Sequence, residues 1–232
     1  ACGFAGCSGY AEALVNSNAD MALCAPGGNA VAERVAGILG KTAGSRVPMI
    51  ARIHCGGDDV KTTHKYRYNG AYDCVAASAL LGGFLECADG CLGMGSCVAV
   101  CKFDAISIDA NGLTTIDGEK CTGCGACVKA CPRRLIELVP APNTVIVACS
   151  SHEKGAVCNK FCKVSCIACM RCVKECPHDA IHVDNFLAWI EYDKCTSCGK
   201  CVAVCPKKCI IQYGPPVPES AAAPGPETVV QA

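Results

Sequence analysis

The sequence predicts an α+β fold in which a duplicated unit follows a small helical region, and three observations carry the prediction. The first is an internal repeat. From Cys101 the chain reads CKFDAISIDANGLTTIDGEKCTGCGACVKACP, and from Cys176 it reads CPHDAIHVDNFLAWIEYDKCTSCGKCVAVCP, two segments that align with a one-residue difference in length. The second is cysteine: 25 of 232 residues, most of them two or three residues apart. The third is the stretch before residue 46, where apolar residues recur at helical rather than strand spacing.

Taken in order, residues 1–46 form the helical domain, with helices expected over 10–24 and 29–39. Leu14 and Val15 supply the apolar side of one, and Val31, Val35, Ile38 and Leu39 that of the other. Pro26, Gly27 and Gly28 separate them. Residues 47–86 are a connecting block holding Cys55 and Cys74. Residues 87–140 and 162–214 are the two copies of the unit, joined by a linker over 141–161. In each copy an Ala-Ile pair opens an alternating strand, Asn111-Gly112 or Asp184-Asn185 turns the chain, and a second strand leads into a dense cysteine run. Residues 215–232, rich in proline and alanine, read as a disordered tail.

Composition removes several functions. Lys plus Arg and Asp plus Glu both number 21, so no whole-chain field favours nucleic acid or an anionic membrane. No apolar run approaches the ~18 residues of a membrane span; the best, 74–85, is interrupted by Gly82 and Gly83. Aromatics are 5% of the chain, too few to fill an ordinary core, so folding is expected to depend on bound metal. Disulfides fit poorly with an odd cysteine count, tight spacing and no visible secretory signal.

Three runs share one pattern: Cys121-x2-Cys124-x2-Cys127-x3-Cys131-Pro132, Cys166-x2-Cys169-x2-Cys172-x3-Cys176-Pro177 and Cys195-x2-Cys198-x2-Cys201-x3-Cys205-Pro206. This is the run of bacterial ferredoxins, in which three thiolates from one loop hold one [4Fe–4S] cluster and the fourth cysteine reaches the neighbouring cluster. Two such runs make a two-cluster ferredoxin-like unit, and the repeat predicts two units in tandem. Structural zinc, the competing use of paired CxxC motifs, seldom takes four cysteines from one run and has no redox chemistry.

The remaining run, Cys87-x3-Cys91-x5-Cys97-x3-Cys101, carries Met94 at the second ligand place, so Cys87 is expected to supply the missing thiolate. The expected iron sites are then Cys87, Cys91, Cys97 with Cys131; Cys121, Cys124, Cys127 with Cys101; Cys166, Cys169, Cys172 with Cys205; and Cys195, Cys198, Cys201 with Cys176. Cys2, Cys7 and Cys24 provide three ligands of a fifth, N-terminal cluster. Cys55, Cys74, Cys149 and Cys162 either form a sixth site bridging the units or are buried as small apolar side chains. Cys209 is assigned to packing and Cys158 to neither role.

His54, His64, His152, His178 and His182 lack the cysteine–histidine pairing of a Rieske centre and are read as solvated or supporting residues. Lys102, Lys129, Arg133 and Arg134 beside the runs are candidates for docking an acidic carrier, against a default of scattered surface charge. No phosphate-binding glycine loop occurs, so the chain is expected to have neither a nucleotide site nor catalytic side chains of its own.

With CGFAGCSGYAEAL at the start, CLGMGSCVAVCKFDAI in the middle and CKVSCIACMRCVKECPHDAI later, the chain resembles the B subunits of the Rnf complex, an ion-pumping ferredoxin:NAD+ oxidoreductase of bacterial membranes. The resemblance implies an electron-transfer subunit at the cytoplasmic face of the cell membrane. It would accept electrons from reduced ferredoxin and relay them to other subunits of a Na+- or H+-pumping translocase. It also implies that the fourth N-terminal ligand and a hydrophobic anchor lie upstream. The alternative is the polyferredoxin subunit of a soluble oxidoreductase or hydrogenase, which fractionation of the full-length protein would separate.

Overall fold

The computed structural model describes residues 2–44 and 46–214; the tail expected over 215–232 lies outside them. Helix α1 (Gly6–Asn16) begins earlier than its apolar pattern suggests and stops at Asn16, because Asn18 takes a left-handed φ of 52° that no helix continues. A 3-10 turn over Ala25–Gly27 leads into α2 (Gly28–Leu39), which ends on Gly40 at φ 65°. Of the residues expected to pack, Leu14 is buried, but Ile38 is 83% and Val15 69% exposed. The close contacts of α2 run through Ala32 and Ala36, whose small side chains allow nearer approach than the branched residues beside them.

The rest of the described chain is short elements around cysteine loops. In order they are β1 (Met49–Ile53), α3 (Cys74–Ala79), α4 (Ser96–Ala99), β2 (Ile106–Ile108), β3 (Thr114–Ile116), α5 (Ala126–Ala130) and β4 (Ile136–Pro140). Then follow β5 (Val145–Val147), α6 (Gly155–Phe161), α7 (Arg171–Glu175), β6 (Ile181–Asp184), β7 (Leu187–Ile190), α8 (Lys200–Val204) and β8 (Ile210–Gln212).

The strands form two-stranded antiparallel ribbons. The hairpin β2–β3 pairs Ile106 with Ile116. The hairpin β6–β7 pairs Ile181 with Ile190 through Asp184 opposite Leu187. Its turn residues are therefore Asn185 and Phe186, both at positive φ, one place beyond the expected Asp184-Asn185. Two further ribbons join distant segments: β1 pairs with β4, Ile53 opposite Ile136, and β5 pairs with β8, Val147 opposite Ile210. Strand β1 comes from the block read as a connection, and β5 from the stretch read as a linker.

Each ribbon of distant segments packs on a hairpin, and the two resulting cores match. Ala51, Ile53, Ile106, Ile116, Leu135 and Ile136 enclose Cys97 and Cys127. Val145, Val147, Ile181, Ala188, Ile190 and Ile210 enclose Cys166, Cys172 and Cys209. The side chains that would form a core thus line the surroundings of thiols instead of closing on one another. A separate small cluster of Ala77, Phe84, Leu85 and Leu92 supports α3.

Candidate metal centres

Four loops carry the cysteine runs, and they share one backbone course. In each a residue at left-handed φ stands immediately before the short helix that bears the third cysteine: Gly95, Gly125, Met170 and Gly199. Two residues earlier the φ is again positive, at Gly93, Gly123, Ala168 and Ser197. Three residues after each distal cysteine it is positive once more, at Asp104, Arg134, Asp179 and Lys208. These turns bend the chain round a common centre so that successive thiols face inward. At Gly123 the turn runs so close to β1 that a Cβ would collide with the carbonyl oxygen of Met49. The irregular run follows the same course, with Met94 where the others have their second cysteine.

Three cavities result. One of about 340 Å³ is lined by Cys176, Cys195, Cys198 and Cys201, with Val145, Ile181 and Ile190. One of about 320 Å³ is lined by Cys101, Cys121, Cys124 and Cys127, with Ala51 and Ile106. These are the combinations the spacing predicts, each drawing its fourth thiol from the distal cysteine of the partner run. The third, of about 340 Å³, is lined by Cys91, Cys97 and Cys131, but its fourth thiol belongs to Cys74 instead of Cys87. The reason is local. Asp73 caps α3 by accepting from the amide of Ala76, and the Ser96 hydroxyl donates to Asp73 at 2.8 Å while accepting from the Cys74 amide at 2.8 Å. This ties the start of α3 to the start of α4, where Cys97 sits.

The fourth set, Cys166, Cys169, Cys172 and Cys205, is close enough for its thiols to oppose one another's ionisation. Cys209, fully inside the core, lies 3.6 Å from the Cys205 sulfur. Its hydrogen bonds to Cys205 and Cys166 hold both thiols well below the ordinary thiol range while its own proton is held tightly. At the N-terminus, Cys2 and Cys24 flank buried Tyr10, whose hydroxyl donates to the carbonyl of Asp20 at 2.7 Å. Cys7 lies exposed on the first turn of α1. A cavity of about 980 Å³ is lined by both Cys24 and Cys121, so Cys24 adjoins the site of Cys121.

Burial pushes the thiols of Cys97 and Cys201 up to about 12 and those of Cys127 and Cys172 up to about 11. Deprotonating such a group of buried thiols requires a cationic centre among them. Backbone amides are already aimed at the sulfurs: Ala51 to Cys121 and Ala180 to Cys176 at 3.3 Å, Leu135 to Cys131 at 3.4 Å. Hydrogen bonds of this kind tune iron–sulfur potentials. Among the described residues no group of three or more Cys, His, Asp or Glu could hold a lone metal ion. An all-thiolate set spread round a cavity suits a cubane, whose ligands stand farther apart than those of one zinc ion.

Arg133 departs from the expectation of a docking residue. Its guanidinium turns inward and donates to the carbonyl oxygens of Cys87 at 3.2 Å, Gly90 at 2.5 Å and Gly82. Arg52, which sequence reasoning passed over, is buried in β1 with its guanidinium 4.0 Å above the Tyr213 ring, coupling the first ribbon to the segment after β8. Two of the histidines are engaged structurally: His54 Nδ1 lies 2.9 Å from the carbonyl of Val147 and its Nε2 faces Glu137 at 3.2 Å, while the His182 ring lies 4.9 Å from that of Trp189, tilted by 42°.

Comparison with known proteins agrees with this geometry. Models of the 4Fe-4S dicluster domain match residues 87–138, 120–180 and 165–210, and a model described as a putative Fe-S cluster matches residues 1–26. The chain therefore carries several [4Fe–4S] sites in a fold of mixed helix and strand. It is 44% identical, over 92% of its length, to the B subunit of the Na(+)-translocating ferredoxin:NAD(+) oxidoreductase complex of Acetobacterium woodii, covering 65% of that protein. It is 46% identical, over 84% of its length, to the B subunit of the proton-translocating complex of Clostridium ljungdahlii, covering 69% of it. To the B subunit of the ion-translocating oxidoreductase complex of Methanosarcina acetivorans it is 40% identical over 90% of its length, covering 79%. The chain thus spans about two thirds to four fifths of the length of these relatives.

Proposed function

Because the chain belongs to the family of B subunits of ion-translocating ferredoxin:NAD(+) oxidoreductase complexes, we propose that it accepts electrons from reduced ferredoxin and relays them to other subunits of a membrane-bound, Na+- or H+-pumping complex. The observation that carries the reading is the set of cavities of nearly equal size, two ringed by three cysteines of one run plus one distal thiol and the third by Cys91, Cys97, the distal Cys131 and Cys74. When bound, [4Fe–4S] clusters supply one-electron chemistry and nothing else is asked of them. The chain's own residues do the rest. Thiolates hold the sites at fixed spacing, amide donors tune them, and Ile and Val side chains of the ribbons exclude water.

Two ferredoxin-like units account for the paired cores. In this reading the first runs from Met49 to Pro140 and the second from Val145 to Gln212, since β1 closes on β4 and β5 on β8. Cys2, Cys7 and Cys24 serve a further cluster beside the first unit. Among the described residues no helix is long and apolar enough to cross a membrane; in this reading the chain works at the cytoplasmic face, held there by other subunits of the complex. Exposed Lys102, Lys129 and Arg134 suit an acidic ferredoxin.

Rapid mixing of the anaerobically loaded chain with reduced ferredoxin tests the reading. Bleaching of the cluster absorbance by more than one electron per chain is expected. Bleaching by dithionite but not by ferredoxin would refute the assigned donor.

A further inference from the structure

We propose that Cys55, Cys87, Cys149 and Cys162 form an additional [4Fe–4S] site at the junction of the two halves, and that Cys74 takes the ligand place beside Cys91, Cys97 and Cys131. The proposal rests on the reading of the chain as a multi-cluster carrier and goes beyond it. Cys55 and Cys74 lie outside all the matched regions, and no single matched region contains the four residues.

Backbone contacts gather the four cysteines from segments far apart in sequence. The amide of Gly56 donates to Ala148 at 3.0 Å, setting Cys55 beside Cys149. Thr62 bridges antiparallel to Cys162, and the neighbouring amides close the bridge, Thr63 to Phe161 and Lys163 to Lys61, both at 2.9 Å. The amide of Glu86 donates to Thr63 at 2.9 Å, which brings Cys87 to the same place. Gly57 completes the weave: a Cβ there would stand 2.7 Å from Thr62 Cγ2 and 3.7 Å from the Cys55 sulfur. Cys87 has both Cys149 and Cys162 as electrostatic neighbours, and Cys55 has Cys87.

A second feature separates these thiols from cysteines that merely pack. In the sites already described, the amide two residues on donates to the thiol: Gly93 to Cys91, Ala168 to Cys166, Ser197 to Cys195. All four junction cysteines have the same donor: Gly57 to Cys55, Asp89 to Cys87, Ser151 to Cys149, Val164 to Cys162. The two leftover buried cysteines act as donors instead. Cys158 donates its S–H to the carbonyl of Glu153 at 3.3 Å, and Cys209, its own thiol held protonated, lies 3.6 Å from the Cys205 sulfur. Burial pushes the junction thiols up, to about 12 for Cys55 and Cys87 and about 11 for Cys149, as it does Cys97 and Cys127, and these amides work against that rise.

The site is also placed where a relay needs it. The amide of Cys91, a ligand in the first half, donates to the Cys55 sulfur at 3.3 Å. The amide of Cys166, a ligand in the second half, donates to the Cys149 sulfur at 3.3 Å. One electron enters from one side and one leaves to the other, with no bond made or broken. The inward guanidinium of Arg133 supplies a fixed positive charge next to Cys55, Cys87 and Cys91.

Iron and acid-labile sulfide, measured on the full chain loaded anaerobically, test the assignment. Cys162→Ser and Cys87→Ser should each lose about four irons and four sulfides, and Cys158→Ala none. The paired variants are decisive. Cys87→Ser with Cys162→Ser should lose no more than either alone, whereas Cys74→Ser with Cys162→Ser should lose twice as much. Cys55→Ser and Cys149→Ser carry the same expectation and the same test should Cys87→Ser fail to fold. Undiminished iron in Cys162→Ser, or the reverse order in the paired variants, overturns the site while leaving the carrier reading intact. A parent chain without sulfide overturns both.

Discussion

The backbone amide of Cys166 points at the sulfur of Cys149 from 3.3 Å. Through that contact a cysteine loop of the second half is fixed to the strand segment that the Gly56–Ala148 hydrogen bond joins to the first. The halves are therefore tied to each other at the thiols themselves. A displacement of one unit against the other would alter the surroundings of the sulfurs before it broke any hydrophobic core.

Distal cysteines should serve the site across from their own run. Cys205→Ser is expected to abolish the cluster of Cys166, Cys169 and Cys172 and to spare that of Cys195, Cys198 and Cys201. Cys205→Ser with Cys166→Ser should then lose about four irons, and Cys205→Ser with Cys195→Ser about eight. Metal analysis with low-temperature electron paramagnetic resonance of the reduced protein distinguishes the two. The reverse order, about eight irons lost in the first pair and about four in the second, would mean that each run holds its own cluster.

Arg133 is expected to be a positioning residue for the loop that carries Cys87. Arg133→Met removes the donor that the carbonyls of Cys87, Gly90 and Gly82 share; Cys87 keeps the Gly90 amide and Gly82 is exposed, so the cost of about 1–3 kcal/mol falls on the buried Gly90 carbonyl. Iron release to a chelator should be at least several-fold faster than in the parent, with Arg133→Lys intermediate. An unchanged release rate in Arg133→Met would remove this role.

Asn143, between β4 and β5, ties the start of the second unit to its last cysteine loop. Its Nδ2 donates to the carbonyl oxygens of Tyr192 and Cys195, both at 3.1 Å, and the residue is buried. Asn143→Ala should destabilise the Cys195 loop by about 1–3 kcal/mol. Hydrogen exchange should show the effect around residues 192–198 and not around 121–127; uniform loss of protection would argue for general destabilisation.

The carboxyl of Glu137 is held below the usual carboxylate range chiefly by its hydrogen bond with His54. A depressed carboxylate contributes above its unfolded pKa of about 4.3 and loses that contribution as pH falls through the lower folded value. The pair is half exposed, so its worth is under about 1 kcal/mol. Glu137→Gln should weaken cluster retention slightly between about pH 5 and 8, with the parent's advantage vanishing below about pH 4. An advantage that grew on acidification would contradict the pairing.

The hairpins β2–β3 and β6–β7 were legible because each is local: alternating apolar residues flank a turn built on Asn-Gly in one and on Asn185-Phe186 in the other. The ribbons that close the units were not. Met49–Ile53 meets Ile136–Pro140 across more than eighty residues, and a five-residue apolar stretch taken alone cannot announce so distant a partner. The exchange of Cys74 and Cys87 has the same origin. Both precede the irregular run, and spacing favours the nearer; the Asp73 cap and its bond to Ser96 set the farther against the cavity. Asp73 immediately before an apolar stretch was the one sequence signal that could have marked the start of α3. Arg133 reads as a docking candidate because it lies beside a cysteine run, and only the fold reveals the three carbonyls it meets.

Iron and acid-labile sulfide, counted per full chain after anaerobic loading, test the central claim most directly. Five complete four-cysteine sites should give about twenty of each in equal number, with any N-terminal cluster additional. Zinc without sulfide would contradict the account at its base.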